Sequence, residues 1–187
     1  MTQSVELLLD DELDTQIRRA WAVLLAAGLP SQGRHPAPTN RPHVTLTVAG
    51  SVLPYLETAL KAELTGRLPV PFRLSGLLVF GERGERGGRG GRGELGGRHV
   101  LARAVVPNTE LLELQASCAA LFDRLPGISP LLQPGSWTPH ITLARNLAPE
   151  AVGTAIALLG DLPEVSSGAA VAVRRWDSEQ QTAWRVG

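Results

Sequence analysis

Cysteine occurs once in the 187 residues, as Cys118. A single thiol can close no intramolecular disulfide and can furnish no cysteine-based metal cage. Lysine is equally scarce: Lys61 is the only one, and every other basic side chain is arginine. Guanidinium suits phosphate recognition, although the abundance of Ala, Gly, Pro and Arg reads equally well as a compositional habit of the source genome. Formal net charge is zero, so no global field favours nucleic acid. No apolar stretch approaches the length that spans a bilayer. The N-terminal residues are acidic (Glu6, Asp10, Asp11, Glu12, Asp14), not the basic region and apolar run of an export signal. The expectation is a soluble, cytoplasmic, monomeric protein with no membrane partner and no cofactor.

Histidine is also rare, with four in all, and two of the four share one local pattern. The first copy is Pro42-His43-Val44-Thr45-Leu46 and the second is Pro139-His140-Ile141-Thr142-Leu143. In a strand, side chains two apart point to the same face. His43 and Thr45 therefore project together, as do His140 and Thr142. Val44, Leu46, Ile141 and Leu143 point the other way, into a core. One His-x-Thr alone would more often be a structural histidine; the repeated five-residue pattern argues for function. An imidazole beside a hydroxyl, presented twice, is suited to holding a phosphate between two proton-transfer groups.

The rest of the chain supplies a scaffold for two such strands. Val5–Leu9 reads as a strand, and Leu13, Ile17, Ala20 and Leu24 mark a helix over about Asp11–Ala27, capped by Asp10 or Asp11 and stopped at Gly28. The first motif strand runs to about Gly50. Leu53, Leu56, Leu60 and Leu64 mark a second helix, and Val70–Phe80 and His99–Val106 read as strands. Asn108 or Thr109 caps a third helix with Leu111, Leu114, Cys118, Leu121 and Leu125 inward. The second motif strand covers about Thr138–Arg145, a fourth helix opens at Pro149, and Val165–Arg175 and Thr182–Val186 read as two last strands. The order is β-α-β-α-β followed by β-α-β-α-β-β. It predicts a single α+β domain over residues 1–187, bilobal and pseudo-two-fold. Two antiparallel sheets are expected to face a central cleft, with helices outside. The segment Gly81–Arg98 holds nine glycines, five arginines and three glutamates, a composition that cannot pack a core; it reads as a flexible connection.

The paired motifs, "RPHVTLTVAG" and "WTPHITLARNL", resemble those of the 2H phosphoesterase superfamily. The branch they are most similar to is the 2′-5′ RNA ligase-like, or RNA 2′,3′-cyclic phosphodiesterase, group. The resemblance in element order runs from Val5 to Val186. It implies a metal-independent phosphoesterase acting on a 2′,3′-cyclic or 2′-5′ phosphodiester of an RNA end or a nucleotide. It implies that His43 and His140 are acid/base catalysts, with His43 as proton donor and His140 as acceptor, and that Thr45 and Thr142 hold phosphate oxygens. One departure is Val48, where the RNA-directed branch often carries an aromatic residue. Arg145 faces away from the site on an ideal strand and reaches phosphate only if the strand ends or bends first; otherwise it is a surface or inter-strand ion pair.

Other candidates are weaker. His35 lies in a polar loop, and His99 starts a strand beside the glycine-rich segment. Trp137 is placed either to stack on a base or to pack at the strand entrance, whereas Trp176 and Trp184 read as packing residues of the last hairpin. Neither motif adds the carboxylate or third imidazole that a zinc site needs. Two competing functions fit the same residues: a non-catalytic RNA-binding protein using the cleft and the Gly/Arg segment, and a phosphoesterase of a small non-RNA metabolite.

Overall fold

The computed structural model describes residues 2–82, 98–123, 125–162 and 167–186. Among them the chain forms β1 (Gln3–Leu9), α1 (Asp11–Ala26), β2 (His43–Ala49), α2 (Pro54–Leu64), β3 (Val70–Glu82), β4 (Arg98–Val106), α3 (Thr109–Phe122), β5 (His140–Leu147), α4 (Pro149–Gly160), β6 (Ser167–Asp177) and β7 (Thr182–Arg185). The α+β class and the element order match the sequence reading. Residues 83–97, the body of the Gly/Arg-rich segment, lie outside the described residues, as does Val165.

The expectation of two separate sheets is corrected. All seven strands join one antiparallel sheet in the order β2-β1-β6-β3-β4-β5, with β7 added on β6. The physical reason is the length of β6. Its first residues, Ser167–Ala170, pair with Arg73–Val70 of β3, while Ala170–Asp177 pair with β1. One strand thus stitches together a half built on β1 and β2 and a half built on β4 and β5. The two motif strands become the sheet's outer edges. These edges nonetheless meet: β2 contacts β5, so the sheet curls until its first and last strands face each other.

The helices hold that curl by crossing between halves. α1, from the first half, packs on β5, and α3, from the second, packs on β2. Asp10 caps α1, its Oδ1 accepting from the Leu13 amide at 2.9 Å and its Oδ2 from the Ala169 amide at 2.6 Å. The cap therefore also fastens the helix to β6. Leu13 is fully buried there, worth about 1.5–3 kcal/mol relative to exposure. The approach requires Gly168, because a Cβ at that position would lie 2.4 Å from Leu13 Cδ1. Asn108, not Thr109, caps α3 through the Leu111 amide at 2.8 Å. Leu111, Leu114 and Cys118 point inward as expected, Leu121 and Leu125 pack partly buried against the core, and Phe122, which the sequence reading passed over, is fully buried beside them. Burial pushes the Cys118 thiol up to about 12, so it is an inert packing group.

Candidate active site

Both motif strands carry a β-bulge at the same place. On β2, Glu6 faces Thr45 but Val5 faces Thr47, leaving Leu46 as the extra residue. On β5, Ala102 faces Thr142 but Leu101 faces Ala144, leaving Leu143 extra. An extra residue inverts the alternation beyond it. Leu46 and Thr47 are accordingly both buried, and so are Leu143 and Ala144. The inversion returns Val48 and Arg145 to the face that carries the histidines and threonines. The Arg145 side chain is exposed, and its charge acts on His140.

The two histidines are held alike. His43 Nδ1 lies 2.7 Å from the Arg41 carbonyl, and His140 Nδ1 lies 2.7 Å from the Thr138 carbonyl. A carbonyl only accepts, so each Nδ1 carries a proton and donates it. That fixes the ring orientation and leaves each Nε2 to gain or lose a proton. The loop before His43 is itself fastened. Arg174 Nη1 donates to the Thr39 carbonyl at 2.6 Å, Arg18 Nη2 to the Asn40 carbonyl at 3.2 Å, and Arg41 pairs with Asp14 at 3.0 Å. Two indoles satisfy edge carbonyls that a missing neighbour strand would leave open. Trp137 Nε1 donates to the Thr45 carbonyl at 2.9 Å, bridging the two edges, and Trp21 Nε1 of α1 donates to the Thr142 carbonyl at 3.0 Å. Trp137 is thus committed to structure through its indole nitrogen. Among the described residues nothing engages the Thr45 or Thr142 hydroxyls.

Around this common frame the halves differ. Glu6, on the strand beside β2, is buried; its Oε1 lies 3.6 Å from His43 Nε2 and accepts from Ser4 Oγ at 2.5 Å, while its Oε2 accepts from Arg174 Nε at 2.7 Å. Burial alone would raise the Glu6 carboxyl. The charges of His43 and Arg174 and the hydrogen bonds from Ser4 and Arg174 outweigh it and leave the group below its ordinary range. Beside β5 the matching residue is Ala102, and His140 leans on the Phe80 ring, centroids 4.8 Å apart. Burial lowers the His140 ring below the usual histidine range. The Thr138 carbonyl opposes that shift, and the charges of Arg145 and His43 reinforce it.

The sequence reading missed Glu6, Arg174 and Phe80. A lone carboxylate in the otherwise apolar run Val5–Leu9 was the available signal for Glu6; nothing local marks Phe80. Trp176 pairs with Ala183 in the last hairpin and also lies opposite Ser4 on the histidine face. A cavity of about 490 Å³ is lined by Leu8, Ala172, Arg41 and Arg174 among others and flanks His43, but neither histidine lines it. His35 is exposed, and His99 sits at the outer end of β4. No helix of the described residues is long and apolar enough to cross a membrane.

A curled antiparallel sheet whose two edges each present a His-x-Thr defines the class as that of the 2H phosphoesterases. The chain belongs to the 2′-5′ RNA ligase superfamily, whose profile matches residues 9–179. No curated protein matches the sequence significantly. Among solved structures, the fold is similar to Usb1 of Kluyveromyces marxianus with uridine monophosphate: TM-score 0.50 and 12% identity, over 99% of this chain and 97% of that one. A second similar structure is described as a phosphoesterase, with TM-score 0.49 and 18% identity over 98% and 92% of the two chains.

Proposed function

We propose that this protein is a metal-independent phosphoesterase that hydrolyses, or reversibly transfers, a 2′,3′-cyclic or 2′-5′ phosphodiester of RNA or a nucleotide. The observation that carries the reading is the pair of Nδ1-anchored histidines, neither Nε2 engaged in a hydrogen bond among the described residues, presented from two edge strands that meet. In the hydrolytic direction His140 Nε2 takes a proton from water as the oxygen attacks phosphorus. His43 Nε2 gives its proton to the ribose oxygen that leaves on the opposite side, roughly in line. The balance is one proton taken and one given; exchange with solvent then resets both rings. The lowered His140 ring supports the acceptor role, since it is neutral near pH 7. The Glu6 carboxylate supports the donor role of His43, as a counter-charge for a protonated ring. The Thr45 and Thr142 hydroxyls donate to the non-bridging oxygens, and Arg145 meets the charge that builds there. Among the described residues no three metal-ligating side chains cluster, and no step is routed through a metal. Membership of the superfamily and a structural relative solved with a nucleotide support the substrate class.

The test is a screen of 2′,3′-cyclic nucleotides, cyclic-phosphate-ended RNAs and 2′-5′-linked dinucleotides after dialysis against EDTA, with products resolved by position. Turnover of one of them, lost in His43→Ala and His140→Ala, is expected. Activity that vanishes on chelation and returns with added zinc or manganese contradicts the metal-free chemistry.

A further inference from the structure

The pseudo-symmetry of the sheet makes one residue conspicuous. Each motif histidine has a neighbour strand, and each neighbour strand has a third strand beyond it. In the first half the row through the motif threonine reads Thr45, Glu6, Arg174; in the second it reads Thr142, Ala102, Leu78. Matching His-x-Thr motifs thus stand on a buried ion pair in one half and on apolar side chains in the other. A buried ion pair is a poor device for stability alone, because desolvation offsets most of the attraction. The second half shows that the fold accepts apolar residues at both positions.

The division of the carboxylate is informative. Arg174 takes Oε2 at 2.7 Å, while Oε1, held by the Ser4 hydroxyl, is the oxygen 3.6 Å from His43 Nε2. That separation is too long for a hydrogen bond and short enough for a strong charge interaction in a site where Glu6 is only 5% exposed. Nε2 therefore remains open to a leaving oxygen. The same Arg174 reaches the Thr39 carbonyl, two residues before the carbonyl that anchors Nδ1. Both sides of the imidazole are thus tied to one network. The other charged groups around the ring do not replace Glu6: Arg41 turns to Asp14, and His140 and Arg145 of β5 are or can become cationic.

We propose that Glu6 is a positioning residue that divides the labour between the two histidines: its carboxylate holds the His43 imidazolium with Nε2 presented to substrate, so that the first half donates the proton and the second accepts it. The inference rests on the phosphoesterase reading and goes beyond it, since the two motifs are themselves interchangeable.

The experiment compares wild type, Glu6→Gln and Glu6→Asp in the full chain, with thermal unfolding confirming the fold of each. Glu6→Gln keeps shape and hydrogen-bonding capacity for Ser4 and Arg174 while removing the charge. Ring-nitrogen NMR follows both histidines with pH, and steady-state kinetics use uridine 2′,3′-cyclic phosphate. In Glu6→Gln the His43 ring should lose its proton at lower pH than in wild type, while the His140 signals move little. The alkaline limb of the rate profile should shift to lower pH with it. The kcat should fall roughly tenfold or more, less than the full loss of a proton donor, with KM nearly unchanged. Glu6→Asp should recover part of each change. An unmoved His43 ring, or equal losses in both variants with no change in pH profile, would falsify the proposal and leave Glu6 as the counter-ion of Arg174. If wild type turns over no phosphodiester, the phosphoesterase reading fails, and the ring measurement still decides whether Glu6 holds the imidazolium.

Discussion

The two halves of the sheet share a motif, a bulge and a way of anchoring histidine, yet they surround that frame with opposite chemistry. His43 stands beside a buried carboxylate and an arginine; His140 stands on alanine and phenylalanine. Beyond the bulge the polarity reverses, for the first half ends in Val48 and the second in Arg145. Symmetry of backbone therefore presents two histidines anchored in the same way, and asymmetry of three or four side chains gives them unequal surroundings. A reaction that must take a proton on one side of phosphorus and give one on the other needs both properties.

The sharpest way to break the comparison is to remove either histidine. His43→Ala and His140→Ala should each lower kcat by about 10²–10⁴-fold with the fold intact by circular dichroism. A folded variant with wild-type turnover would remove that half from the chemistry. Next in size is Arg145→Val, which gives the second half the residue of the first. Loss of a hydrogen bond to a charged group costs about 1.5–3 kcal/mol, so kcat/KM should fall roughly 10–100-fold; Val48→Ala, its counterpart, should change little. Equal effects at the two positions would mean that the bulges do not aim Arg145 at substrate.

A smaller effect tests the shared scaffold. Trp137→Phe and Trp21→Phe each remove one indole bond to an edge carbonyl, and each should cost about 1 kcal/mol of stability, read from chemical denaturation. Similar losses support equivalent roles at the two edges; no loss in one would show that edge to be satisfied by water. The smallest concerns pH. The folded His140 ring resists protonation, so below the ordinary histidine range the unfolded chain binds that proton first and stability falls as pH drops. The Glu6 carboxylate, held low, adds stability above the carboxylate range that is lost as pH falls through it. His140→Gln should flatten only the first decline.

Much of this was legible in the amino-acid sequence, and the limits follow from range. Strands and helices came from local periodicity, and the duplicated Pro-His-x-Thr-Leu marked both histidines because the signal lies within five residues. Pairing between distant strands is not a local property. Nothing in Ser167–Ala170, the start of β6, announces that it pairs with β3 and turns two sheets into one. The orientation of Arg145 was equally hidden, because a bulge depends on register against β4. Glu6 left a trace, a charge within an apolar run, but its partner Arg174 is 168 residues away.

The most direct test of the central claim is the pH–rate profile of wild type, His43→Ala and His140→Ala on a 2′,3′-cyclic nucleotide after exhaustive chelation. The account predicts a bell-shaped wild-type profile whose residual alkaline limb disappears in His43→Ala and whose residual acid limb disappears in His140→Ala. A wild-type profile flat between about pH 5 and 9, or variants that keep both limbs, would contradict it.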